Sequence, residues 1–376
     1  MDLTSGFIND NPHYLKICIL YEVLQKKPIF DSYRDFCETV GQDPMEYPDF
    51  EFWYYRFYHG SRDFDYDRSV DPKPKTIMDI PVGSMTKIVE YLDPVERSRL
   101  RSMNHTLKGV VDSFPQVFEK IDITVSNTYI QWTLNSKMFC CFKNIGGCKL
   151  YLPNCLVDKS EKCHIKISLE YLAPLMQIPN IQVNHFSLNL LDEKLDCDDL
   201  LPIPINAKSV YIYSQQYVNF LSTMNPGYLE SISLNSLERF NYQTIFDTDQ
   251  FKQAKSVEFD TLSATFKLEE LVNFSHLKRF KCRVWTENAI EGLIRIRDIL
   301  STFEELESCE LDFHGRWDSV PMREFAEALG EEIPIGPLVQ QATITHRYQI
   351  PESNEFLEFK ITEKNLRCLI NIVKNR

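Results

Sequence analysis

The 376-residue sequence has few glycines, no long apolar run and no regular framework of cysteines. Its 12 glycines form no phosphate-binding loop, and the sequence contains neither a nucleophile elbow nor a paired-histidine zinc helix. The first twenty residues lack the basic-then-apolar order of a secretory signal. We therefore expect a non-catalytic protein that uses no cofactor and neither spans nor crosses a membrane.

Positive charge is also scarce, because the formal net charge is −13. Such a chain repels phosphate backbones, so nucleic-acid binding would require a local basic patch. The 11 cysteines follow no disulfide spacing and are best interpreted as reduced thiols, which favours the cytoplasm or nucleus. With 43% hydrophobic residues, the chain is long enough for two or three globular domains.

One cluster of potential metal ligands stands out: Cys140, Cys141, Cys148, Cys155, Cys163 and His164. A zinc site is conceivable there, but the cluster contains no Cys-x-x-Cys pair. Cys148 also falls at an apolar position of a repeat described below, where free cysteine behaves as a small buried hydrophobe. The pattern favours structural thiols over a metal site.

Residues 80–112 carry the pattern of three short helices. An apolar stripe at helical spacing marks the first helix, formed by Met85, Ile88, Val89 and Leu92. Asp93, Pro94 and Glu96 then supply an N-cap, a first-turn proline and a capping box for the second helix. Its buried side would be Leu100 and Met103, and Leu107, Val110 and Val111 mark the third. A segment this small should expose apolar surface that meets another protein.

This segment resembles an F-box, through Ile80-Pro81, Tyr91-Leu92 and Pro94. The resemblance implies docking onto the Skp-family adaptor of a cullin complex. It places six residues at or behind that interface: Pro81, Ile88, Leu92, Pro94, Leu100 and Met103. An ordinary helical hairpin inside a larger domain is the alternative.

The front of the chain predicts three more helices, the second ending at Gly41 and the third at Gly60. The order and spacing of this stretch resemble the helix-turn-helix module of mariner-type transposases, chiefly through Trp53, Phe57 and Gly60. Residues 1–76 nevertheless contain 14 acidic and 9 basic side chains, and the third helix offers only Arg56 as a base. We therefore interpret residues 12–62 as a module that no longer binds DNA, followed by a linker at 63–76.

An internal repeat follows in the last two thirds of the chain. Hexapeptides with apolar first, fourth and sixth positions begin at Val183, Ala207, Leu229, Ala254, Leu277 and Leu306. Their spacing of 22 to 29 residues is close to the period of leucine-rich repeats, with helical stretches between them. Parallel strands with returning helices are therefore predicted, and earlier, less regular copies are expected at Phe118 and Ile145.

After Leu311 the repeat changes character. We expect a helix near residues 320–329, two strands in ATITHRYQI and FLEFKI, and a closing helix that carries Leu366, Leu369, Ile370 and Val373. Such an end would cap the last repeat. An F-box followed by this strand-helix domain resembles the nematode F-box A family, whose C-terminal part is the FTH domain.

The sequence thus predicts an α+β chain in three parts: a small helical module at 12–62, a three-helix F-box at 77–113, and an α/β leucine-rich-repeat-like solenoid, the FTH domain, at 114–376. The resemblance implies a substrate-recognition adaptor of an SCF-type cullin ubiquitin ligase that promotes degradation of a target protein. Two other interpretations stay open: a transposase-derived DNA-binding protein, and a repeat scaffold with no ligase connection.

The repeat also suggests where a target would bind. If the apolar positions of each hexapeptide point inward, most others face a partner. In this acidic chain Lys278, Arg279 and Lys281 form a local cationic stripe, and Tyr211 offers an aromatic contact nearer the F-box. We predict that the stripe receives an acidic segment of the target. The alternative is a solvated strand face whose charges are balanced by Glu258 and Glu310.

Overall fold

The computed structural model describes residues 11–41, 44–68, 71, 76–153, 157–178, 181–192, 204–214, 216–235, 243–259, 264–315, 321–332, 343–364 and 367–375. The chain divides into two compact units, residues 1–80 and 81–376, and each has its own hydrophobic core. Within these described ranges, no helix has both the length and the apolar character that crossing a membrane requires.

The first unit is a bundle of three helices: α1 (Pro12–Leu24), α2 (Ile29–Val40) and α3 (Tyr47–Tyr58). Asn11 caps α1 by accepting a hydrogen bond from the amide of His13, and the next residue is a proline, which fits the first helical position. The core is aromatic, with Phe36 and Phe50 fully buried and their ring centroids 5.1 Å apart. The three helices expected from the sequence are confirmed.

The second unit begins with three helices that the sequence also predicted: α4 (Val82–Tyr91), α5 (Pro94–Arg101) and α6 (His105–Asp112). The capping box at α5 is present. Asp93 accepts hydrogen bonds from the amides of Val95 and Glu96, and the Glu96 carboxylate accepts one from the Asp93 amide. A turn of 3₁₀ helix, Ile77–Asp79, lies in the first unit just before them.

A single large sheet forms the rest of the unit. Its strands in the described part of the chain are β1 (Val117–Val125), β2 (Tyr129–Leu134), β3 (Lys137–Asn144), β4 (Gly147–Tyr151), β5 (Val157–Ser160), β6 (Gln182–Leu190), β7 (Asn206–Tyr213), β8 (Ser231–Asn235), β9 (Ser256–Phe259), β10 (Thr265–Lys267), β11 (Arg279–Thr286), β12 (Ser308–Gly315), β13 (Thr343–Gln349), β14 (Phe356–Lys364) and β15 (Arg367–Asn375). Their order is β13, β14, β15, β12, β11, β9, β8, β7, β6, β1, β2, β3, β4, β5, and β10 also pairs with β11.

The middle of the sheet is parallel, because β1, β6, β7, β8, β9, β11 and β12 are neighbours that run in the same direction. Helices connect several of these strands: α7 (His164–Met176), α8 (Tyr217–Ser222), α9 (Gln243–Phe246), α10 (Asp249–Gln253) and α11 (Ala289–Ser301). Two 3₁₀ segments, Pro226–Tyr228 and Leu268–Phe274, have the same role. All six predicted hexapeptides contribute to these strands, and that prediction is confirmed.

Burial alternates along the strands, so the sheet has a covered face and an open face. In β11, Phe280, Cys282 and Val284 lie on the covered face, and the residues between them lie on the open face and keep partial contact with solvent. One row of the open face runs straight across the register, from Tyr211 through Ser233 and on to Glu258, Lys281 and Glu310.

Of the two earlier copies of the repeat that the sequence predicted, the structure confirms one and contradicts the other. The copy at Phe118 is confirmed, because β1 continues the parallel series beside β6. The prediction of a copy at Ile145 is wrong. That residue lies fully exposed in the tight turn between β3 and β4, which pair antiparallel, and only Cys148 and Leu150 of the pattern are on the buried side of the hairpin.

At the other end, β12 is followed by α12 (Met322–Leu329) and then by the antiparallel strands β13, β14 and β15. The predicted helix and first two strands are confirmed, although residue 320 lies outside the described residues. The predicted closing helix is wrong, because residues 367–375 form β15. Its buried residues, Cys368, Ile370 and Ile372, alternate with a period of two, which only a strand places on one face. Leu366 also lies outside the described residues.

Candidate binding surfaces

The first candidate surface is the outer side of the three helices α4 to α6. Within α4, Met85 and Val89 are buried, whereas Ile88 is 43% exposed. Pro81 and Met103 are also exposed, Leu92 and Pro94 are half-buried, and Leu100 is buried. Of the six predicted adaptor-binding residues, Pro81, Ile88 and Met103 are therefore exposed, and the other three are half-buried or buried behind them. Their role in binding stays a prediction.

The structure adds two apolar residues to this surface that the prediction omitted. Tyr91 is 90% exposed and Val82 is 62% exposed. Tyr91 belongs to the Tyr-Leu pair noted in the sequence, so its position in the motif was the signal that could have identified it. Val82 follows Pro81 in the first helical turn and carried no such signal. Apolar side chains of this size and exposure are candidates for contact with another protein.

The inner side of these helices joins the core of the sheet. Val95 of α5 is buried, and it belongs to the same hydrophobic cluster as Trp132, Leu134 and Phe139 from β2 and β3. No sequence signal pointed to this contact, because the apolar pattern of α5 does not identify its partner. Val95 therefore connects α5 to the core of the sheet.

Charged groups strengthen the same junction. Lys137 donates hydrogen bonds to the carboxylates of Asp93 and Glu96, the second over 3.2 Å. Burial raises the pKa of Asp93, but the hydrogen bonds from Lys137 and from the backbone outweigh it, and the pKa lies below its ordinary value. Burial likewise lowers the pKa of Lys137, but its two carboxylate partners raise it further, above the ordinary value.

The arginines of α5 are largely satisfied within the protein. Arg97 donates to the carbonyls of Val89 and Glu90, at 2.9 and 3.2 Å, near the end of α4. Arg101 forms an ion pair with Asp112 at 2.6 Å. Arg99 is exposed to solvent. These contacts join α4 to α5 and α5 to α6, the helices that carry the exposed apolar side chains.

The second candidate surface is the open face of the sheet, where Tyr211, Arg279 and Lys281 lie. Lys281 contacts Glu258 at 2.9 Å and Glu310 at 3.5 Å, so the two glutamates named as its balancing charges do lie beside it. Tyr211 accepts a weak hydrogen bond from the side chain of Asn235, at 3.4 Å.

The remaining two cations of the stripe also have acidic neighbours. Arg279 pairs with Glu307 at 3.0 Å, and Lys278 lies 3.7 Å from both Glu305 and Glu307. The predicted cationic stripe is therefore surrounded by glutamates, and we call Lys278, Arg279 and Lys281 together with these glutamates the mixed-charge row. Its part in target binding stays a prediction.

The cysteine cluster is buried where the structure describes it, apart from one residue. Cys140, Cys141 and Cys148 lie in the sheet, Cys163 is an exposed N-cap of α7, and Cys155 lies outside the described residues. Burial raises the pKa of Cys141 to about 12, which keeps it a thiol. The described residues contain no group of three or more side chains arranged to hold a metal ion.

The would-be DNA-reading helix, α3, presents few positive charges. Its one arginine, Arg56, stacks on the ring of Tyr66, with 3.4 Å between the guanidinium carbon and the ring centroid. Asp49 forms an ion pair with Arg68. The one cation of α3 is therefore held against an aromatic ring, which leaves the helix poor in positive charge for contact with phosphates.

Comparison with known proteins agrees with this arrangement. Residues 12–61 match the HTH domain in Mos1 transposase, which covers α1 to α3. Residues 202–330 match the FTH domain, from β7 to α12. Over 329 residues the chain is 29% identical to F-box A protein 224 of Caenorhabditis elegans, a match that covers 80% of this chain and 83% of that protein. The chain therefore combines an N-terminal HTH domain of the Mos1 transposase type with a C-terminal FTH domain, and over most of its length it is similar to a nematode F-box A protein.

Proposed function

We propose that this chain is the substrate-recognition subunit of an SCF-type cullin ubiquitin ligase. Residues 77–113 act as an F-box that binds the Skp-family adaptor. The sheet within residues 114–376 is a leucine-rich-repeat-like receptor that presents a target protein for ubiquitination and degradation. The chain supplies no catalytic group, because ubiquitin transfer is the task of other subunits, and it acts in the cytoplasm or nucleus.

One observation carries the proposal. α4 and the turn after α5 expose four large apolar side chains (Val82, Ile88, Tyr91 and Met103), while Val95 of α5 packs into the core of a sheet that contains the FTH domain. Apolar anchors of this kind usually supply most of the energy of a protein interface. A rigid connection between the two parts is what a subunit needs if it holds a target at a fixed distance from its adaptor.

The proposal is supported by similarity to an F-box A protein and by the geometry of the exposed residues. The parallel strands with returning helices support the receptor role, because repeats of this kind create extended binding surfaces. The DNA-binding alternative has the HTH match in its favour but lacks exposed cations on α3.

Co-purification with a Skp-family adaptor tests the proposal. Ile88→Glu places a charge on the exposed apolar side of α4, and we expect it to abolish adaptor recovery while leaving the fold intact. Val272→Glu is the matched control, because Val272 is 56% exposed on the 3₁₀ segment before β11. Full adaptor recovery with Ile88→Glu, or equal loss with Val272→Glu, would contradict the proposal.

A further inference from the structure

The outer antiparallel strands carry an aromatic patch on the open face of the sheet. In register, Tyr129 of β2 lies beside Phe142 of β3, and the next residues in the row are Lys149 of β4 and Lys159 of β5. The ring centroids of Tyr129 and Phe142 are 5.9 Å apart, and those of Phe142 and Tyr151 are 5.7 Å apart.

These apolar side chains are accessible. Phe142 is 45% exposed, Tyr151 is 39% exposed and Val157 is 49% exposed. Their strands bury the opposite face under α7, with Trp132 and Leu150 almost fully inaccessible. The exposed patch is therefore not needed for the core of the sheet.

The two lysines distinguish this patch from the mixed-charge row. Lys149 and Lys159 are direct cross-strand neighbours, and no carboxylate lies within ion-pair distance of either among the residues that the structure describes. Like charges placed directly opposite each other destabilise a sheet. In a chain with a net charge of −13, two adjacent cations without a carboxylate in ion-pair distance are a favourable site for an anionic group from another molecule.

The patch also borders an open edge. β5 is the last strand of the sheet in the described residues and pairs only with β4. An edge strand directs half of its backbone amide and carbonyl groups outward, where another extended segment can pair with them. Gly147 allows β5 to approach this closely, because a Cβ at that position would overlap the carbonyl oxygen of Ser160.

We propose that an extended acidic segment of a target protein adds to β5 as a further strand. Side chains on one side of that segment would place carboxylates near Lys159 and Lys149 and apolar groups against Val157 and Tyr151. This assignment rests on the proposed receptor role of the sheet and gives it a specific binding edge.

An acidic peptide fits this surface better than single-stranded nucleic acid. Aromatic rings on a sheet can stack on bases, but affinity for the backbone depends on several phosphate contacts. Two lysines on a strongly acidic chain can neutralise two carboxylates, and they are too few for a run of phosphates. The free edge adds backbone hydrogen bonds that a peptide can make.

Panning a phage library of random dodecapeptides against the full chain at physiological salt tests the proposal. We expect the selected peptides to alternate acidic residues with aromatic or β-branched ones. Lys149→Glu with Lys159→Glu should weaken binding of a selected peptide about tenfold or more. Bound peptide should slow hydrogen exchange of the amides of residues 157–160, which identifies pairing at the edge.

The control variant carries the same change of charge elsewhere. Lys166 and Lys252 are exposed on α7 and α10, and reversing both to Glu should leave peptide binding unchanged. The proposal would be overturned by peptides without acidic residues, by equal binding to the Lys149/Lys159 variant, or by unprotected β5 amides. Salt-sensitive binding of oligouridine in place of peptides would also overturn it.

Adaptor co-purification, measured on the same preparations, separates the two proposals. Adaptor binding without selection of acidic peptides leaves the ligase role intact and removes the β5 site. Peptide binding without the adaptor supports the site and contradicts the ligase role.

Discussion

Lys137, at the start of β3, donates a hydrogen bond to the carboxylate of Asp93, the residue that caps α5. The contact joins residues 44 positions apart and ties the N-terminus of a helix to the edge of a hairpin. The same lysine also reaches Glu96 in the first turn, so it forms ion pairs with both acidic groups at that helix end. The orientation of α5 against the sheet therefore depends partly on one side chain.

The first prediction concerns this contact. Lys137→Met should lower the free energy of unfolding at neutral pH by about 1 kcal/mol or less, because both partners remain partly solvated. Urea unfolding of parent and variant provides the measurement. Lys143→Met, an exposed position on the same strand, is the control and should be neutral.

The stability difference between parent and Lys137→Met should also depend on pH in a definite direction. Asp93 has a lowered pKa in the folded chain, so its contribution is present above the unfolded pKa of about 3.9 and is lost as the pH falls through the folded value. The difference between parent and Lys137→Met should therefore shrink below about pH 4. A difference that stays constant through that range would show that packing, and not charge, accounts for it.

A second prediction concerns the mixed-charge row. Lys281→Glu would place three carboxylates side by side, because Glu258 and Glu310 flank that position on neighbouring strands. We expect a loss of about 1 kcal/mol in unfolding free energy at neutral pH, with recovery as the pH approaches that of carboxylate protonation. Lys281→Gln removes the attraction without adding repulsion and should lose less. Equal losses in the two variants would contradict this account.

A third prediction concerns a close contact between helix and sheet. A Cβ on Gly292 of α11 would lie 2.9 Å from the side chain of Thr286 and 3.0 Å from that of Phe313. Gly292→Ala should therefore destabilise the chain by about 1–3 kcal/mol, although alanine favours a helix. Thermal unfolding measures the change.

Gly109 of α6 provides the matched control for that change. It is also helical, but apart from its chain neighbours and the backbone of its own helix, no atom of the described residues lies within 4 Å of the position that a Cβ would take. Gly109→Ala should leave stability unchanged or raise it by up to about 1 kcal/mol. If both variants behaved alike, helix propensity alone would explain them and the close contact would be irrelevant.

A fourth prediction concerns nucleic acid. The full chain should give no salt-sensitive mobility shift with duplex DNA at physiological salt, because Arg56, the one basic residue of α3, is held against Tyr66 and α3 also carries Asp49 and Glu51. A basic peptide known to bind duplex DNA serves as the positive control. A shift that weakens as salt rises would contradict the prediction and revive the DNA-binding interpretation.

The sequence by itself determined the local elements. Capping signals set the start of α5, and periodic apolar positions located α1 to α6, α12 and nine of the strands. These features depend on neighbours within a few residues, so they can be predicted without a partner. The residues around Leu369 fit both a helical and a strand period, and only pairing with β12 and β14 selected the strand.

Only the tertiary structure decided which elements meet. Val95 could have faced any apolar surface, and its place in the core of the sheet follows from the fold of a hairpin far along the chain. The same holds for charge. As lysines, Lys281 and Lys159 are both expected at the protein surface. The order of the strands places two glutamates beside Lys281 and a second lysine beside Lys159. Register between distant strands sets these neighbours, and no local pattern encodes it.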